Sequence, residues 1–360
     1  MASFISENLM ISVEQRRYNR QIAYWLLGCA VVIFGMIVLG GVTRLTHSGL
    51  SMVEWRPLVG IIPPLSEADW LAVFEKYKLF PEYQKVNYGM SLDEFKYIFM
   101  YEYLHRVLGR IIGIIYFIPM VYFFITQKVA KGFKRKLITL LVLGGLQGLM
   151  GWFMVMSGLV DNPRVSQYRL TAHLGLAVLI YAYMFWLAMD LLLEPVKGRI
   201  HNGISRFSKI LVGLIYFMIL TGGIVAGIRA GFAYNTWPLM GEWFFPPGLF
   251  PEQLGFKAVF EDITTVQFNH RMLAYFIAAC IAVFVYKGTT ARMLSGKAHT
   301  AMFVLLIALI CQVGLGIGTL IYLVPVPLAA AHQAGAVVLL TAALYVAHRL
   351  SDVRQWRSTF

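Results

Sequence analysis

Charged residues are scarce in this chain of 360 residues. Asp, Glu, Lys and Arg together make up 14% of it, whereas a soluble domain has about 25%. Apolar residues account for 59%, and they lie in long uncharged blocks, which indicate that the chain is surrounded by a lipid bilayer. This composition excludes a soluble enzyme, a secreted disulfide scaffold and a disordered regulator.

Cysteine is equally scarce, with three residues in the chain, Cys29, Cys280 and Cys311, each inside an apolar block. The sequence has no CxxC motif and no pair of cysteines in a loop, which excludes a disulfide framework and a thiolate metal site. We expect all three to be small buried side chains.

Eight apolar segments are long enough to cross the hydrocarbon layer, which takes about 20 helical residues. The predicted spans are 22–42, 97–125, 137–156, 170–189, 210–228, 266–286, 301–323 and 328–347. The first is too long for the apolar part of a signal peptide, and no A-x-A site follows it. We therefore predict an all-α polytopic membrane protein that retains its first helix.

The formal net charge of +13 is concentrated on one side of the predicted membrane. The amino terminus, the connections 126–136, 190–209 and 287–300 and the carboxyl-terminal tail hold 18 basic and five acidic residues. The opposite connections hold ten basic and twelve acidic residues. The positive-inside rule therefore predicts cytoplasmic termini and explains the charge without nucleic acid. The lack of a long Arg- and Ser-rich presequence favours a bacterial inner membrane over the mitochondrial one.

The longest outer connection, 43–96, carries helix signals of its own. Ser66 and Asp69 predict the start of a short helix with aromatic residues along one face. Such a helix would lie on the membrane surface or cover a cavity beneath it. Ser91 and Glu94 predict a second capping box where the second span begins.

The two halves of the chain share markers in the same order. An offset of 165 residues pairs His105-Arg106 with His270-Arg271 and Gln147 with Gln312, and an offset of 159 pairs Ala172-His173 with Ala331-His332. Gly40-Gly41 at the end of span one also matches Gly222-Gly223 in span five. We therefore predict two tandem four-helix bundles related by a pseudo-twofold axis along the membrane normal. The predicted segments are an amino-terminal segment 1–21, a first repeat 22–193, a linker 194–209, a second repeat 210–348 and a tail 349–360.

Four histidines occupy the repeated positions, all near the outer ends of their spans: His105, His173, His270 and His332. A single histidine in a membrane commonly hydrogen-bonds a neighbouring helix, but two imidazoles that face each other across a four-helix bundle can ligate a heme iron. Glycines in spans three and seven either leave room for a porphyrin or allow close helix packing. Arg169 either meets a heme propionate or contacts a lipid headgroup.

Glu102 marks a difference between the halves. It stands three residues before His105, whereas the residue at the same position before His270 is the neutral Gln267. A carboxylate inside the hydrocarbon layer is costly and indicates function, although an ion pair with Arg106, four residues on, is the structural alternative. The asymmetry favours chemistry in the first half and a passive cofactor in the second.

These motifs resemble the heme A synthase family across residues 20 to 350. The resemblance rests on Glu102-Tyr-Leu-His105-Arg106, His173, Asn269-His270-Arg271, Ala-His332-Gln333 and the Gly-Gly-Val-Thr-Arg-Leu-Thr stretch that ends span one. The long first outer connection resembles the proteobacterial and mitochondrial branch. Residues 43–96 lack the cysteine pair that other members carry there, so no thiol-based step is available.

The resemblance implies oxidation of a ring methyl group of heme O to the formyl group of heme A, for terminal oxidase biogenesis. It implies that His270 and His332 hold a heme b cofactor, that His105 and His173 face the substrate heme, and that Glu102 is the catalytic carboxylate. Arg106, Arg169 and Arg271 are then expected to contact propionates or line the pockets. The expected partners are heme O synthase as the source of heme O, the oxidase assembly machinery, an unidentified electron partner and further copies of the chain.

Two other functions fit part of this pattern. A b-type cytochrome with two bis-histidine hemes would use all four histidines for electron transfer alone, but it gives Glu102 no role. A transporter would share the duplicated bundle, but it predicts polar residues near the midplane, and the polar residues here cluster towards the outer side.

Overall fold

The computed structural model describes residues 2–54, 61–159, 163–193, 202–290 and 296–351. Helices are the regular secondary structure of these residues. Eight of them, within the described ranges, are long and apolar enough to cross a membrane, which confirms the predicted number of spans. In chain order they are α1 (Ala2–Leu45), α2 (Leu92–Ile125), α3 (Lys131–Met156), α4 (Gln167–Leu192), α5 (Asn202–Gly227), α6 (Ile263–Thr290), α7 (Gly296–Ile321) and α8 (Val326–Arg349).

Most helices are longer than the predicted spans, because backbone hydrogen bonding continues past the last apolar turn. Helix α1 includes nearly all of the predicted amino-terminal segment 1–21, and α5 begins inside the predicted linker 194–209. The first part of that linker, 194–201, and the tail from 352 onward lie outside the described residues.

The helices pack in the same order in each set of four. In the first set α1 contacts α2 and α4, and α3 contacts α4; in the second set α5 contacts α6 and α8, and α7 contacts α8. The two sets meet where α4 contacts α5 and α8, and where α1 contacts α8. This pattern of helix contacts is the one expected for two tandem bundles. The symmetry axis that relates them stays a prediction.

The main apolar core occupies one half of the bundle. Its buried residues come from the middle of α1, the start of α3, α5 and α7, and the end of each even-numbered helix, as Leu26, Leu137, Leu187 and Phe284 illustrate. We call this the terminal side, because α1 begins and α8 ends there, and the opposite side the loop side. All four repeated histidines lie on the loop side of their helices, outside this core.

The long first connection folds onto α2. Its helix Glu67–Lys78 starts with the predicted capping box at Ser66, and the predicted box at Ser91 begins α2. Phe74 and Tyr77 of the short helix are buried against Phe95 and its neighbours on α2. The sequence prediction of a capped amphipathic helix is confirmed.

The cysteine prediction is correct in part. Cys29 is buried, Cys280 is half-buried and Cys311 is exposed on the surface of α7. Burial was expected for all three because each lies in an apolar block, and it is wrong for Cys311. The outer face of a membrane helix is as apolar as its inner face, so composition does not distinguish the two.

Candidate functional site

Each of the four repeated histidines lies against a glycine of a neighbouring helix. A Cβ atom added to that glycine would come within 2.8 to 3.5 Å of the ring atom Cε1. The pairs are His105 with Gly40, His173 with Gly151, His270 with Gly222 and His332 with Gly316. The repeat that pairs the histidines therefore also pairs the glycines beside them.

Only some of the glycines on α3 and α7 have this role. A Cβ atom at Gly144, Gly145, Gly148 or Gly314 would meet nothing within 4 Å. Gly151 and Gly316 are the positions on these two helices where a glycine allows a ring to approach the backbone. The other glycines leave open space along the helix surface.

In each half, a glutamine is hydrogen-bonded to the backbone of one of the repeated histidines. Gln147 donates to the backbone carbonyl of His173 at 3.1 Å, and Gln312 does the same for His332 at 3.0 Å. The glutamines thus attach α3 to α4 and α7 to α8 at the level of the rings.

The residues fit a heme better than a bare metal ion. Among the described residues, no group of three or more His, Cys, Asp or Glu side chains could hold a metal, and a bare zinc or iron ion would need such a group. Two imidazoles with glycine beside each ring are suited to axial ligation of a flat macrocycle. The Nδ1 atoms of His105 and His173 are buried without a hydrogen-bond partner in the described part of the chain.

Glu102 is buried, with 3% of its surface exposed, and the first outer connection folds over it. Its Oε1 forms the expected ion pair with Arg106. Its Oε2 accepts hydrogen bonds of 2.8 Å from Ser51 Oγ and from the Met52 backbone nitrogen. The structural alternative raised from the sequence is therefore present, but it accounts for only one of the two carboxylate oxygens.

The second half repeats this arrangement with a neutral side chain. Gln267 takes the place of Glu102 and donates through Nε2 to the Tyr234 carbonyl at 3.1 Å. An offset of 182 residues, the one that pairs Gly40 with Gly222, also pairs Met52 with Tyr234. In the first half the carboxylate accepts from Met52 of the loop, and in the second half the amide donates to the equivalent loop residue, Tyr234.

The arginines that follow His105 and His270 hydrogen-bond the loops that contain Met52 and Tyr234. Arg106 donates to the carbonyls of Met52 and Glu54, and Arg271 donates to the carbonyls of Tyr234 and Thr236. Both guanidinium groups are therefore engaged with loop backbone. The expectation that Arg106 and Arg271 line the pockets stays a prediction, and their contacts with the loops lend no support to a propionate role.

Arg169 faces the end of α3. Its guanidinium carbon lies 3.7 Å from the centre of the Phe153 ring, and its Nη1 donates to the Phe153 carbonyl at 2.8 Å. This contact holds the end of α3 against the start of α4, one turn from His173. Its predicted role towards a propionate stays a prediction as well.

The sequence patterns do not point to Ser51, Met52 or Thr221. The Oγ1 atom of Thr221 lies 2.8 Å from His270 Nδ1. Ser51 and Met52 lie in a loop, and no spacing pattern connects them with Glu102. Thr221 directly precedes the paired Gly222-Gly223, so extending the repeat alignment by one residue would have drawn attention to it.

The fold and the site together define a class: a polytopic helical membrane protein that carries two histidine pairs suited to heme. A family model described as cytochrome oxidase assembly protein, COX15-CtaA, matches residues 23–344. The chain belongs to this COX15-CtaA family.

Its relatives have consistent names. The chain is 55% identical to "Heme A synthase" of Nitrosospira multiformis over 92% of this chain and 94% of that protein. It is 51% identical to "Heme A synthase" of Nitrosomonas eutropha over 95% and 97% of the two chains. It is also 42% identical to "Heme A synthase COX15" of Homo sapiens over 95% of this chain and 86% of the human one.

Proposed function

We propose that this protein is a heme A synthase, which oxidises a ring methyl group of heme O to the formyl group of heme A. The names of its relatives support an enzyme that acts on heme. The observation that supports the oxidative step is a difference between the two sites. Glu102 is buried and hydrogen-bonded in the first half, and Gln267 takes its place in the second.

The two histidine pairs have different roles in this proposal. His105 and His173 bind the substrate heme O, and His270 and His332 bind a resident heme b. When bound, the heme b supplies one-electron redox chemistry. The glycines beside the rings let the four imidazoles stand close to the helix backbones, so the space between the helices is left to the macrocycles.

Glu102 provides the charge of the substrate site. Three donors, from Arg106, Ser51 and Met52, hold both of its oxygens. A carboxylate fixed in this way can take up a proton released near it or stabilise positive charge that develops on the substrate. Since the first outer connection covers it, the site is also protected from bulk water.

The charge distribution supports the membrane orientation that we propose. We propose a bacterial inner membrane, with both termini in the cytoplasm. Heme O synthase would supply the substrate, and the terminal oxidase assembly machinery would receive the product. An electron partner is required because the oxidation removes electrons from the methyl group. We also propose that copies of the chain associate with one another, and that the protein does not bind nucleic acid.

Pigment analysis tests this function. Cells that make heme O should yield purified protein with heme b and heme A, whereas Glu102→Ala should retain heme b and accumulate heme O. Gln267→Ala is the matched control, because it alters the same position of the other half, and it should still produce heme A. Unchanged heme A in Glu102→Ala would contradict the enzymatic proposal. Heme b as the only pigment in the parent and in every variant would favour the cytochrome alternative.

A further inference from the structure

Thr221 connects a histidine ring to the backbone of α5. Its Oγ1 lies 2.8 Å from His270 Nδ1 and also 2.8 Å from the carbonyl oxygen of Met218. The threonine stands directly before Gly222, the glycine against which the His270 ring lies. The same turn of α5 thus makes room for the ring and provides it with a hydrogen-bond partner.

The direction of these two hydrogen bonds follows from the number of hydrogens. A carbonyl oxygen can only accept, so the single hydroxyl hydrogen of Thr221 is donated to Met218. The hydroxyl oxygen must then accept from the ring, which requires a hydrogen on Nδ1 of His270. In the neutral imidazole this leaves Nε2 with its lone pair free, and Nε2 is the atom that can ligate iron.

The first half lacks a hydrogen bond of this kind at the equivalent position. The offset of 182 residues that pairs Gly40 with Gly222 pairs Leu39 with Thr221. Leucine offers no acceptor, and Nδ1 of His105 is buried without a partner among the residues that the structure describes. The neighbouring glycines and arginines are the same in both halves, so the threonine is a difference beside the histidine ring itself.

We propose that Thr221 is a positioning residue that makes the second heme resident, and that its absence beside His105 leaves the first heme exchangeable. This inference rests on the proposed function. A ligand whose other ring nitrogen donates a hydrogen bond is fixed in orientation and is more basic, and loss of such a partner typically costs about 10- to 100-fold in metal affinity. A substrate heme must enter and leave, so a lower heme affinity suits the first site.

The variant Thr221→Val tests the hydrogen bond, because valine keeps the branched shape and removes the hydroxyl. The measurements are the rate of heme b transfer to apomyoglobin and the midpoint potential of the remaining heme. We expect at least about tenfold faster transfer. We also expect a higher midpoint potential, because a less basic imidazole stabilises ferric iron less. Thr221→Ser keeps the hydroxyl and should resemble the parent in both measurements.

The reciprocal variant Leu39→Thr provides a test in the other half. It should slow the transfer of heme O from the first site to apomyoglobin, whereas Leu39→Val should not. A Thr221→Val protein with parental transfer rate and potential would overturn the inference, as would an unaltered heme O transfer rate in Leu39→Thr. A parent protein that binds no heme would contradict the proposed function instead, so the two failures are distinguishable.

Discussion

Arg229 donates a hydrogen bond of 3.1 Å to Nδ1 of His47 across the boundary between the two sets of four helices. Both residues have left-handed backbone conformations, with φ of 59° and 55°, and the offset of 182 residues makes them equivalent positions. Arg44 adds hydrogen bonds to the carbonyls of Ala226 and Gly227 at the end of α5. The ends of α1 and α5 are thus joined on the loop side.

This junction should weaken in acid. Partial desolvation beside its neighbours, followed by the charges of Arg229 and Arg44, lowers the pKa of His47 below its ordinary value of 6.5. The folded protein therefore favours the neutral ring. The resulting stability is present above pH 6.5 and is lost as pH falls through the lowered pKa, because protonated Nδ1 cannot accept from Arg229.

Thermal unfolding of the detergent-solubilised protein at several pH values measures this effect. The parent should lose more stability between neutral and acid pH than His47→Asn, which cannot titrate. Equal losses in the two proteins would contradict the prediction. His299→Asn, which changes a histidine at the start of α7 on the opposite side, is the control and should behave as the parent does.

The first outer connection should loosen at high pH. Glu82 of the short helix Pro81–Lys85 is buried, and Tyr77 donates to it at 3.2 Å. Burial, with a further contribution from the charge of Glu102, raises the pKa of Glu82 to about 8. Stability from the neutral form is complete below the ordinary pKa of 4.5 and is lost as pH rises through about 8.

Hydrogen exchange of the helix Glu67–Lys78 reports this loosening. We expect faster exchange above pH 8 in the parent, after correction for the intrinsic pH dependence, and a weaker trend in Glu82→Gln. Glu75→Gln is the matched control because Glu75 lies on the exposed face of the same helix. A parental trend in Glu82→Gln would show that another group is responsible.

A methyl group beside His332 should reduce heme binding. A Cβ atom at Gly316 would lie 2.8 Å from Cε1 of the ring, which would have to move. We expect Gly316→Ala to lower heme b affinity by roughly tenfold, the scale for a disturbed metal ligand. Gly314→Ala has open space and should bind normally. Equal heme absorbance per protein in the two variants would contradict the predicted role of the glycine.

Removing one of the groups that donate a hydrogen bond to Glu102 should slow the reaction, while the second site keeps its heme b. Ser51 is fully buried, and its hydroxyl donates to Glu102 Oε2. A hydrogen bond to a charged group is worth about 1.5–3 kcal/mol, so Ser51→Ala should lower the ratio of heme A to heme O by about tenfold. The heme b content is the internal control. A parental ratio would indicate that the Ser51 hydrogen bond is dispensable.

The elements that could be predicted from the sequence are those that depend on local patterns. The spans follow from apolar length, and the capping boxes at Ser66 and Ser91 follow from a three-residue spacing. The repeat also identified the glycines beside His105 and His270 as a pair. The hydrogen bonds of Ser51, Met52 and Tyr234 could not be predicted, because they depend on how a loop returns to a helix far away in the chain.

The apolar core on the terminal side is the larger of the two clusters described, and it has a consequence for proton movement. Hydrocarbon side chains conduct no protons, so hydrogen ions released near Glu102 would depart towards the aqueous compartment on the loop side. The site can therefore exchange protons with one compartment without a conducting path across the membrane.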